Sequence, residues 1–235
     1  MYVSAIIVAA GKSKRLGGKV SKAVLKLNSK PIIAYSLDVL NEHHKVNEII
    51  VVGNRANTKS LRDIIKRNKI RKVRNIILGG AERQDSVYNG LRAISPKADF
   101  ILIHDAARPF ITKGLVSLVI EEAQRSKAAI VGVPVKSTIK EVRSQRPKSK
   151  TGLIVQRTLD RSNLWEIQTP QVFSRKIILK AYKDFGRLKA TDDAMLVEKA
   201  GKKVKMVLGA HQNIKITTPE DLIIAKGIAK LWKPA

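Results

Sequence analysis

The sequence has no cysteine and few aromatic residues. The lack of cysteine excludes disulfides, thiolate zinc sites and thiol nucleophiles, which leaves carboxylates, histidines, hydroxyls and cations for any chemistry. Aromatic residues make up 4% of the 235 residues, too few for the stacking platform of a single-strand nucleic-acid binder. No apolar run approaches the roughly 18 residues that span a bilayer. These absences favour a soluble protein, which we expect in the cytoplasm, with no membrane partner.

Acidic residues are also scarce. The 19 Asp and Glu residues stand against 46 Lys and Arg, so the formal net charge is +27. Such a charge attracts nucleic acids, nucleotides and phosphosugars alike and does not choose among them. The densest basic runs, residues 66–74 and 143–150, contain no aromatic residue, and we interpret them as solvated faces. No specific nucleic-acid partner is therefore expected.

Short β-branched runs alternate with helical patterns, the rhythm of a parallel sheet. The runs are Val3 to Ala9, Glu48 to Val52, Val73 to Leu78, Asp99 to His104 and Ala129 to Val135. Strands of this kind are nearly all apolar because helices cover both faces of the sheet. The pattern predicts an α/β fold: a Rossmann-like, mostly parallel twisted sheet flanked by helices. We expect one domain over residues 1–235.

Three residues are candidates for helix starts. Pro31 is expected at the first position of a long helix, where its missing N–H costs nothing. Asp85 is expected to cap the helix after the Gly79-Gly80 turn, and Thr112 to cap the next.

The segment of residues 136–158 interrupts the βαβ rhythm. Alternating residues, a turn-rich stretch and a second apolar run predict a long β-hairpin inserted into the α/β core. A hairpin this polar and basic cannot easily bury both of its faces alone. It is interpreted as an arm that packs on a partner subunit, or as an excursion folded onto its own domain.

The first strand runs directly into a basic, glycine-rich segment. Small residues at Ala9, Ala10 and Gly11 let backbone N–H groups approach an anion, and the lysines and arginine that follow neutralise its charge. It is not a Walker A loop, since Ile6 stands where that loop needs its first glycine. It is not a dinucleotide fingerprint either, since Ser13 stands where that motif needs a glycine. We expect the segment to bind a polyphosphate; the alternative is a βα turn with solvated lysines.

A carboxylate stands at the end of another buried strand. Ligands of open parallel sheets bind beyond the carboxyl ends of strands, so Asp105 is expected near the polyphosphate as a Mg²⁺ ligand. The alternative is that Asp105 only pairs with Arg108. His104 faces the other side by alternation and is interpreted as structural.

Isolated polar residues in apolar settings form a third group of candidates. Hydroxyls mixed with Arg and Lys suit a phosphomonoester pocket, although each one singly fits a cap or a surface role better. These residues are Thr138, Arg161, Thr169, Thr191 and Lys215.

Seven segments in one order carry a resemblance. They are Ala9-Ala10-Gly11 with Arg15 and Lys22, Gly79-Gly80 with Arg83 and Ser86-Val87, His104 to Pro109, Asp160 to Trp165, Gln168 to Gln171, Thr191 to Ala194, and Asn213 to Thr217. From end to end the chain resembles the family of 2-C-methyl-D-erythritol 4-phosphate cytidylyltransferases. The resemblance implies transfer of a cytidylyl group from CTP to methylerythritol phosphate, giving the CDP-alcohol and pyrophosphate, with Mg²⁺.

The resemblance also implies roles for residues. Arg15 and Lys22, with Lys215, would be catalytic, the first two by holding the triphosphate. Asp105 would hold the Mg²⁺, and Thr138, Arg161, Thr169, Thr191 and Lys215 would meet the phosphate of the acceptor. The nucleoside would contact Ala9, Ala10, Gly11, Gly80, Ala81, Ser86 and Ala106. The family forms homodimers through such a hairpin, so Thr138 and Arg161 are expected to complete the neighbouring subunit's site.

One departure and two rivals accompany this interpretation. Family members commonly have Pro-Lys-Gln and then an aromatic residue around the loop lysine, where this chain has Ser21-Lys22-Ala23-Val24. The nearest rival is a sister cytidylyltransferase acting on ribitol 5-phosphate, which differs only in the acceptor pocket. A rival of another class is a basic nucleic-acid-binding protein, which would have no need for Asp105.

Overall fold

A computed structural model describes residues 1–11, 21–144 and 152–232. Arg15, the other basic residues of 12–20 and the turn of the hairpin at 145–151 lie outside the described residues. The strands are β1 (Val3–Val8), β2 (Lys26–Leu27), β3 (Lys30–Pro31), β4 (Glu48–Gly53), β5 (Val73–Leu78), β6 (Phe100–Asp105), β7 (Ala128–Pro134), β8 (Ile139–Ser144), β9 (Leu153–Leu159), β10 (Trp165–Ser174) and β11 (Lys205–Leu208). The helices are α1 (Ile32–Glu42), α2 (Thr58–Arg67), α3 (Arg83–Ala93), α4 (Lys113–Ser126), α5 (Arg175–Phe185), α6 (Asp193–Lys199) and α7 (Pro219–Leu231). A short 3-10 helix covers Lys22–Val24.

The central sheet has seven strands in the order β11-β7-β10-β6-β1-β4-β5. Strand β10 runs antiparallel to its neighbours β6 and β7, while the other neighbouring strands pair in parallel. The prediction of a mostly parallel, helix-flanked sheet is confirmed, and the five expected strands are found within a residue of their bounds. Strand β5 departs from the expected burial: it lies at the edge of the sheet and is partly exposed.

The order of the strands creates the crevice in which a ligand can bind. From β1 the chain moves outward to β4 and β5, then returns to place β6 on the other side of β1. The connections therefore leave in opposite directions at β1 and β6, and their carboxyl ends open a cleft between them. Ala9 and Asp105 stand at this edge of the sheet.

Alternation along the strands builds a core on each face of the sheet. On one face Val3, Ala5 and Ile7 pack against α1, α2 and α4. On the other face Ile6 packs with α3, α5 and α6. A third cluster around Phe110 and Ile216 seats α7.

The helix starts test the local predictions. Thr112 caps α4 as predicted, because its hydroxyl accepts from the Leu115 N–H at 3.1 Å. The prediction for Pro31 is wrong: it ends β3 in an extended conformation, with ψ 140°, and helix α1 begins one residue later. The prediction for Asp85 is also wrong. Glu82 is the N-cap of α3, and Asp85, three residues on, accepts from the Glu82 N–H in a reciprocal capping box.

The hairpin expected over residues 136–158 corresponds to β8 and β9. They pair in antiparallel fashion from Ile139 opposite Leu159 to Ser144 opposite Leu153. Its apolar side chains are about half exposed, among them Val142, Ile154 and Val155. None of the helices described in the structure is both long enough and apolar enough to cross a membrane.

Candidate active site

Two cavities meet at the carboxyl edge of the sheet. The first cavity, of about 460 Å³, is lined by Val8, Ala9, Ala10, Gly11, Lys22, Ala23, Gly80, Ala81, Glu82, Arg83, Ser86, Asp105, Ala106, Ala107, Lys215 and Thr217. The second cavity, of about 600 Å³, is lined by Arg83, Asp105, Arg108, Ile130, Ile167, Gln168, Thr169, Gln171, Thr191, Asp192, Met195, Glu198, Val204, Met206 and Lys215. The two share Arg83, Asp105 and Lys215, which therefore stand at the boundary between them.

Close packing shapes the wall of the first cavity. A Cβ on Gly79 would lie 2.5 Å from the Ser86 Oγ and 2.6 Å from the Ala10 Cβ, so only glycine lets these two residues approach. The Ser86 hydroxyl, buried at the start of α3, accepts from the Gly80 N–H at 3.2 Å and donates to the Glu82 carbonyl. The wall is therefore made of backbone and small side chains held in fixed positions.

Asp105 is a buried carboxylate between two cations. Its Oδ1 accepts from the Arg83 Nε at 2.9 Å, and its Oδ2 lies 2.5 Å from the Lys215 Nζ. Burial by itself would raise the pKa of Asp105, but the charges of Arg83 and Lys215 outweigh it and hold the pKa well below its ordinary value. The carboxylate is ionised at any physiological pH. The alternative pairing with Arg108 does not form, because that guanidinium donates to the carbonyls of Ile167 and Asn213.

Arg83 is fixed by a second buried carboxylate. Its Nη1 donates to Asp193 at 2.8 Å, and Asp193 accepts from the Tyr182 hydroxyl at 2.5 Å. Burial would lower the pKa of Arg83, but the two carboxylates reverse this and raise it. Burial, and then the charge of Asp193, raise the pKa of Tyr182, which keeps its proton as a donor. This chain from Tyr182 to Asp105 anchors the carboxylate to helices α5 and α6.

Lys215 lies on an irregular segment that its neighbours hold in place. Asn213 is fully buried and donates to the Thr169 carbonyl at 3.0 Å and to the Gln168 side chain at 3.1 Å. Ile216 is buried in the third cluster, and its N–H donates to the Ala107 carbonyl at 2.9 Å. Lys215 itself remains 36% exposed, so its ammonium can turn from Asp105 towards a ligand in either cavity.

A buried relay supports the Asp105 backbone from the side of the second cavity. The Asp105 N–H donates to the Thr169 Oγ1 at 3.1 Å, and the Thr169 hydroxyl donates to the His104 Nδ1 at 2.9 Å. The other ring nitrogen, Nε2, donates to the Arg108 carbonyl at 3.0 Å, so His104 is neutral and structural, as expected. Burial lowers the pKa of His104 to about 4. Because the Thr169 hydroxyl donates its proton to His104, it can only accept a hydrogen bond from a ligand.

The expected site residues fall into three sets. The first cavity is lined by Lys22 and by every residue expected around the nucleoside: Ala9, Ala10, Gly11, Gly80, Ala81, Ser86 and Ala106. The second cavity is lined by Thr169 and Thr191, and Lys215 and Asp105 line both. Thr138 and Arg161 line neither cavity. They lie exposed at the base of the hairpin, where Arg161 donates to the Lys136 carbonyl.

The sequence predicts no role for three groups in or beside the site. Arg83 carries a signal, since a cation in the first turn of a helix is unfavourable unless a carboxylate compensates it. Asn54 and Asn57 follow β4 at the same edge of the sheet as Asp105, and the same rule about strand ends points to them. Asp193 and Tyr182 carry no local signal, because their pairing joins two separate helices.

The chemistry of Asp105 fits a divalent cation. No cluster of three or more metal-ligating side chains occurs among the described residues, so any ion here needs further ligands from a substrate and from water. Mg²⁺ commonly binds in this way, through one or two carboxylates and substrate phosphates. Each oxygen of the ionised Asp105 contacts a cation and has a lone pair left for a metal. The residues present are compatible with that arrangement.

Comparison with known proteins places this site in a family. The family model of 2-C-methyl-D-erythritol 4-phosphate cytidylyltransferase matches residues 3–230. The chain belongs to this family. The enzyme of that name from Alkaliphilus metalliredigens (strain QYMF) is 47% identical over 230 residues, covering 96% of this chain and 92% of the relative. The protein is therefore a nucleotidyltransferase, and the family match decides against the nucleic-acid-binding alternative.

Solved structures agree with this assignment. The 4-diphosphocytidyl-2C-methyl-D-erythritol synthase from Anaerococcus prevotii superimposes with a TM-score of 0.84 and is 30% identical, with 97% of this chain and 96% of that chain covered. The cytidylyltransferase from Thermus thermophilus gives a TM-score of 0.79 at 32% identity, covering 98% of this chain and 100% of that chain. The cytidylyltransferase resemblance drawn from the seven motifs is confirmed.

Proposed function

We propose that this enzyme transfers the cytidylyl group of CTP to 2-C-methyl-D-erythritol 4-phosphate with Mg²⁺, releasing pyrophosphate. CTP occupies the first cavity and the phosphate of the acceptor enters the second. The observation that carries the proposal is the place of Asp105 and Lys215, a carboxylate and a cation shared by the two cavities. A phosphoryl group at that boundary is within reach of both substrates.

The small residues of the first cavity support selection of a pyrimidine. Ala10, Gly80 and Ala81 line one wall of this cavity. A Cβ on Gly79 would clash behind that wall, which argues that the wall cannot move outward to enlarge the space for a base. A purine would overfill such a space. The Ser86 hydroxyl donates its proton to the Glu82 carbonyl and accepts from the Gly80 N–H, so it offers the edge of the base one lone pair, beside the backbone groups near Gly80 that make no such bond.

Catalysis in this proposal depends on position and charge. An oxygen of the acceptor phosphate attacks the α-phosphorus of CTP, a new P–O bond forms, and the bond to the leaving pyrophosphate breaks. A phosphate monoester is already an anion near neutral pH, so no general base is needed. Lys22 and Lys215 stabilise the charge that grows on the α-phosphate and the leaving group, together with Arg15.

Asp105 is the residue that would hold Mg²⁺, which would supply positive charge to neutralise that of the phosphates. Arg83 keeps the carboxylate oriented, while the ammonium of Lys215 can leave Asp105 and bind a phosphate. The buried Asp193 makes this possible, because it holds Arg83 in place when Lys215 leaves.

The acceptor side is completed by a second copy of the chain. Thr138 and Arg161 lie outside both cavities of their own chain, and the half-exposed apolar side chains of β8 and β9 suit an interface. We assign the hairpin to a homodimer contact that brings these two residues to the partner's second cavity. The reaction belongs in the cytoplasm, since a triphosphate does not cross a bilayer unaided.

The test is a matrix of substrates. The purified enzyme is incubated with Mg²⁺, each of the four nucleoside triphosphates, and either methylerythritol phosphate or ribitol 5-phosphate, and pyrophosphate is measured. We expect release with CTP and methylerythritol phosphate alone, and none after chelation of the metal. Release only with ribitol 5-phosphate would contradict the choice of acceptor, and no release with any pair would contradict the whole proposal.

A further inference from the structure

The turn after strand β4 carries two asparagines whose side chains contact residues on either side of the basic segment of residues 12–20. Asn54 Nδ2 donates to the Ala10 carbonyl at 2.9 Å, and Asn57 Nδ2 donates to the Ala9 carbonyl at the same distance. Asn57 also donates to the Ser21 Oγ at 2.9 Å. Asn57 is only 2% exposed, so these bonds are made away from solvent.

The amide of Asn57 has one orientation. A carbonyl oxygen can only accept, so the nitrogen of the amide must face Ala9, while the Oδ1 accepts from the Asn54 N–H at 2.8 Å. Both N–H bonds of Nδ2 are therefore in use, one towards Ala9 and one towards Ser21. The side chain is satisfied and has no spare donor, as a buried amide requires.

Ala9 and Ser21 stand on either side of the basic segment. Ala9 follows β1 and lines the first cavity, and Ser21 directly precedes Lys22, which lines the same cavity. Lys22 opens the short 3-10 helix, and the next residue, Ala23, is buried in the core. One buried side chain thus joins the two ends of the segment and fixes the backbone from which Lys22 extends.

We propose that Asn57 is a positioning residue for the triphosphate: it holds Ala9 and Ser21 together and so sets the place of Lys22. The inference rests on the proposed function, because it takes the triphosphate of CTP as the ligand. It also accounts for the serine that stands before Lys22. A serine hydroxyl can accept from Asn57, whereas a proline at this position has no such acceptor and restrains the backbone through its ring.

The conformation of Ser21 provides a rescue experiment. Its φ is −63° and its ψ is 125°, values that proline adopts without strain. Proline at position 21 would limit the backbone before Lys22 without any bond from Asn57. Ser21→Pro should therefore restore part of what Asn57→Ala removes, which no effect on general stability would do.

The experiment compares Asn57→Ala with a control from the other end of the same helix. Asn68 follows α2, donates to the Ile64 carbonyl at 2.8 Å and lines neither cavity. We expect Asn57→Ala to raise the KM for CTP about tenfold, the size expected from two lost hydrogen bonds, with the KM for the acceptor within about twofold. Asn68→Ala should lower the melting temperature and leave both KM values unchanged. Since KM does not depend on the fraction of folded enzyme, a purely structural role for Asn57 would not move it.

Two further variants complete the test. Ser21→Ala removes one of the two bonds and should raise the KM for CTP about threefold, in a chain whose buried amide is retained. Asn57→Ala with Ser21→Pro should return the KM for CTP to within about threefold of the unmodified enzyme. Unchanged KM values in both Asn57→Ala and Ser21→Ala would overturn the inference while leaving the proposed function intact. An unmodified enzyme that releases no pyrophosphate from CTP would instead overturn the proposed function.

Discussion

The two cavities are similar in size but are built from different parts of the chain. The first takes its wall largely from backbone and small side chains that follow β1, β5 and β6. The second takes longer side chains from β10, α6 and β11, polar in Gln168, Gln171 and Glu198 and apolar in Met195 and Met206. Two of its expected residues, Thr138 and Arg161, lie elsewhere on the same chain. The cavity proposed for the nucleotide is thus shaped largely by small residues at strand ends, whereas the cavity proposed for the acceptor collects its lining from several elements.

The largest effect is expected where the two cavities join. Lys215→Ala removes a cation that serves both, and we expect kcat to fall about a thousandfold, as when a group that stabilises a transition-state charge is lost. Steady-state kinetics with each substrate varied in turn would measure this. A loss confined to one KM would show that Lys215 serves only one side. Circular dichroism should show the fold unchanged, because Arg83 continues to pair with Asp105.

The shape of the first cavity can be broken by one methyl group. Gly79→Ala places a Cβ against Ser86 and Ala10, so these residues must shift, at a cost in stability of about 1–3 kcal/mol. The displaced wall should lower kcat/KM for CTP about thirtyfold. The KM for the acceptor should stay the same. Gly227→Ala is the matched control, since a Cβ there meets nothing within 4 Å. Equal behaviour of the two variants in CTP kinetics would argue against a wall that is fixed by packing.

The acceptor side rests on a histidine that cannot be protonated without loss of its bonds. His104 has a folded pKa of about 4 against about 6.5 in the unfolded chain, so the unfolded state takes up a proton first as pH falls between these values. The contribution of neutral His104 to the free energy of unfolding is full above about pH 6.5 and decreases towards about pH 4. The decrease is about 2 kcal/mol between pH 7 and pH 5. Burial, and then the charge of His44, lower the pKa of His43 to about 4 as well. The unfolded chain therefore takes up a second proton over the same pH range, which lowers stability in the same direction.

Urea unfolding at a series of pH values measures this slope. His104→Asn retains an acceptor near the position of Nδ1 and cannot titrate, so its slope should fall from two protons to one. A variant slope equal to that of the unmodified protein would show that His104 does not control the acid side of stability.

A smaller effect than at Lys215 or Gly79 is expected at the hairpin. Arg161→Ala should raise the KM for the acceptor about tenfold, the cost of one hydrogen bond to a charged phosphate, and leave the KM for CTP unaffected.

Mixing the Arg161→Ala chain with the Lys215→Ala chain would then sharpen the comparison. In a mixed dimer one site receives both intact residues, so at acceptor concentrations below KM the activity should exceed the sum of the two variants measured separately. Activity equal to that sum would show that each chain completes its own acceptor side.

The sequence predicted the first cavity better than the second, for a physical reason. Backbone cradles and strand ends leave local marks, such as Ala9 to Gly11 after an apolar run, and the structure gathers these residues in one place. The second cavity depends on the antiparallel strand β10, on α6 and on β11. The pattern of apolar runs predicted none of these three elements. The errors at Pro31 and Asp85 are of another kind. Both residues are near a helix start. Pairing within β3 keeps Pro31 extended, so α1 begins one residue later, and Glu82 takes the N-cap position of α3 three residues before Asp85.

Some pairings could not be predicted because they join distant segments. Arg83 and Asp193 are 110 residues apart, and Asn57 and Ser21 are 36 apart. A single sequence shows each residue but not its partner. Charge or amide groups placed at strand ends and helix starts are the signals that remain, and they indicate which residues need a partner without naming it.

Strand β10 has a mechanical consequence. It begins at Trp165, beside the base of the hairpin, and reaches Thr169, whose hydroxyl holds the backbone of Asp105, about 14 Å further along. Such an extended segment transmits displacement along its length with little stretching. In the homodimer proposed above, a displacement of the hairpin would therefore reach Asp105, and association of two chains would be coupled to alignment of the reacting groups.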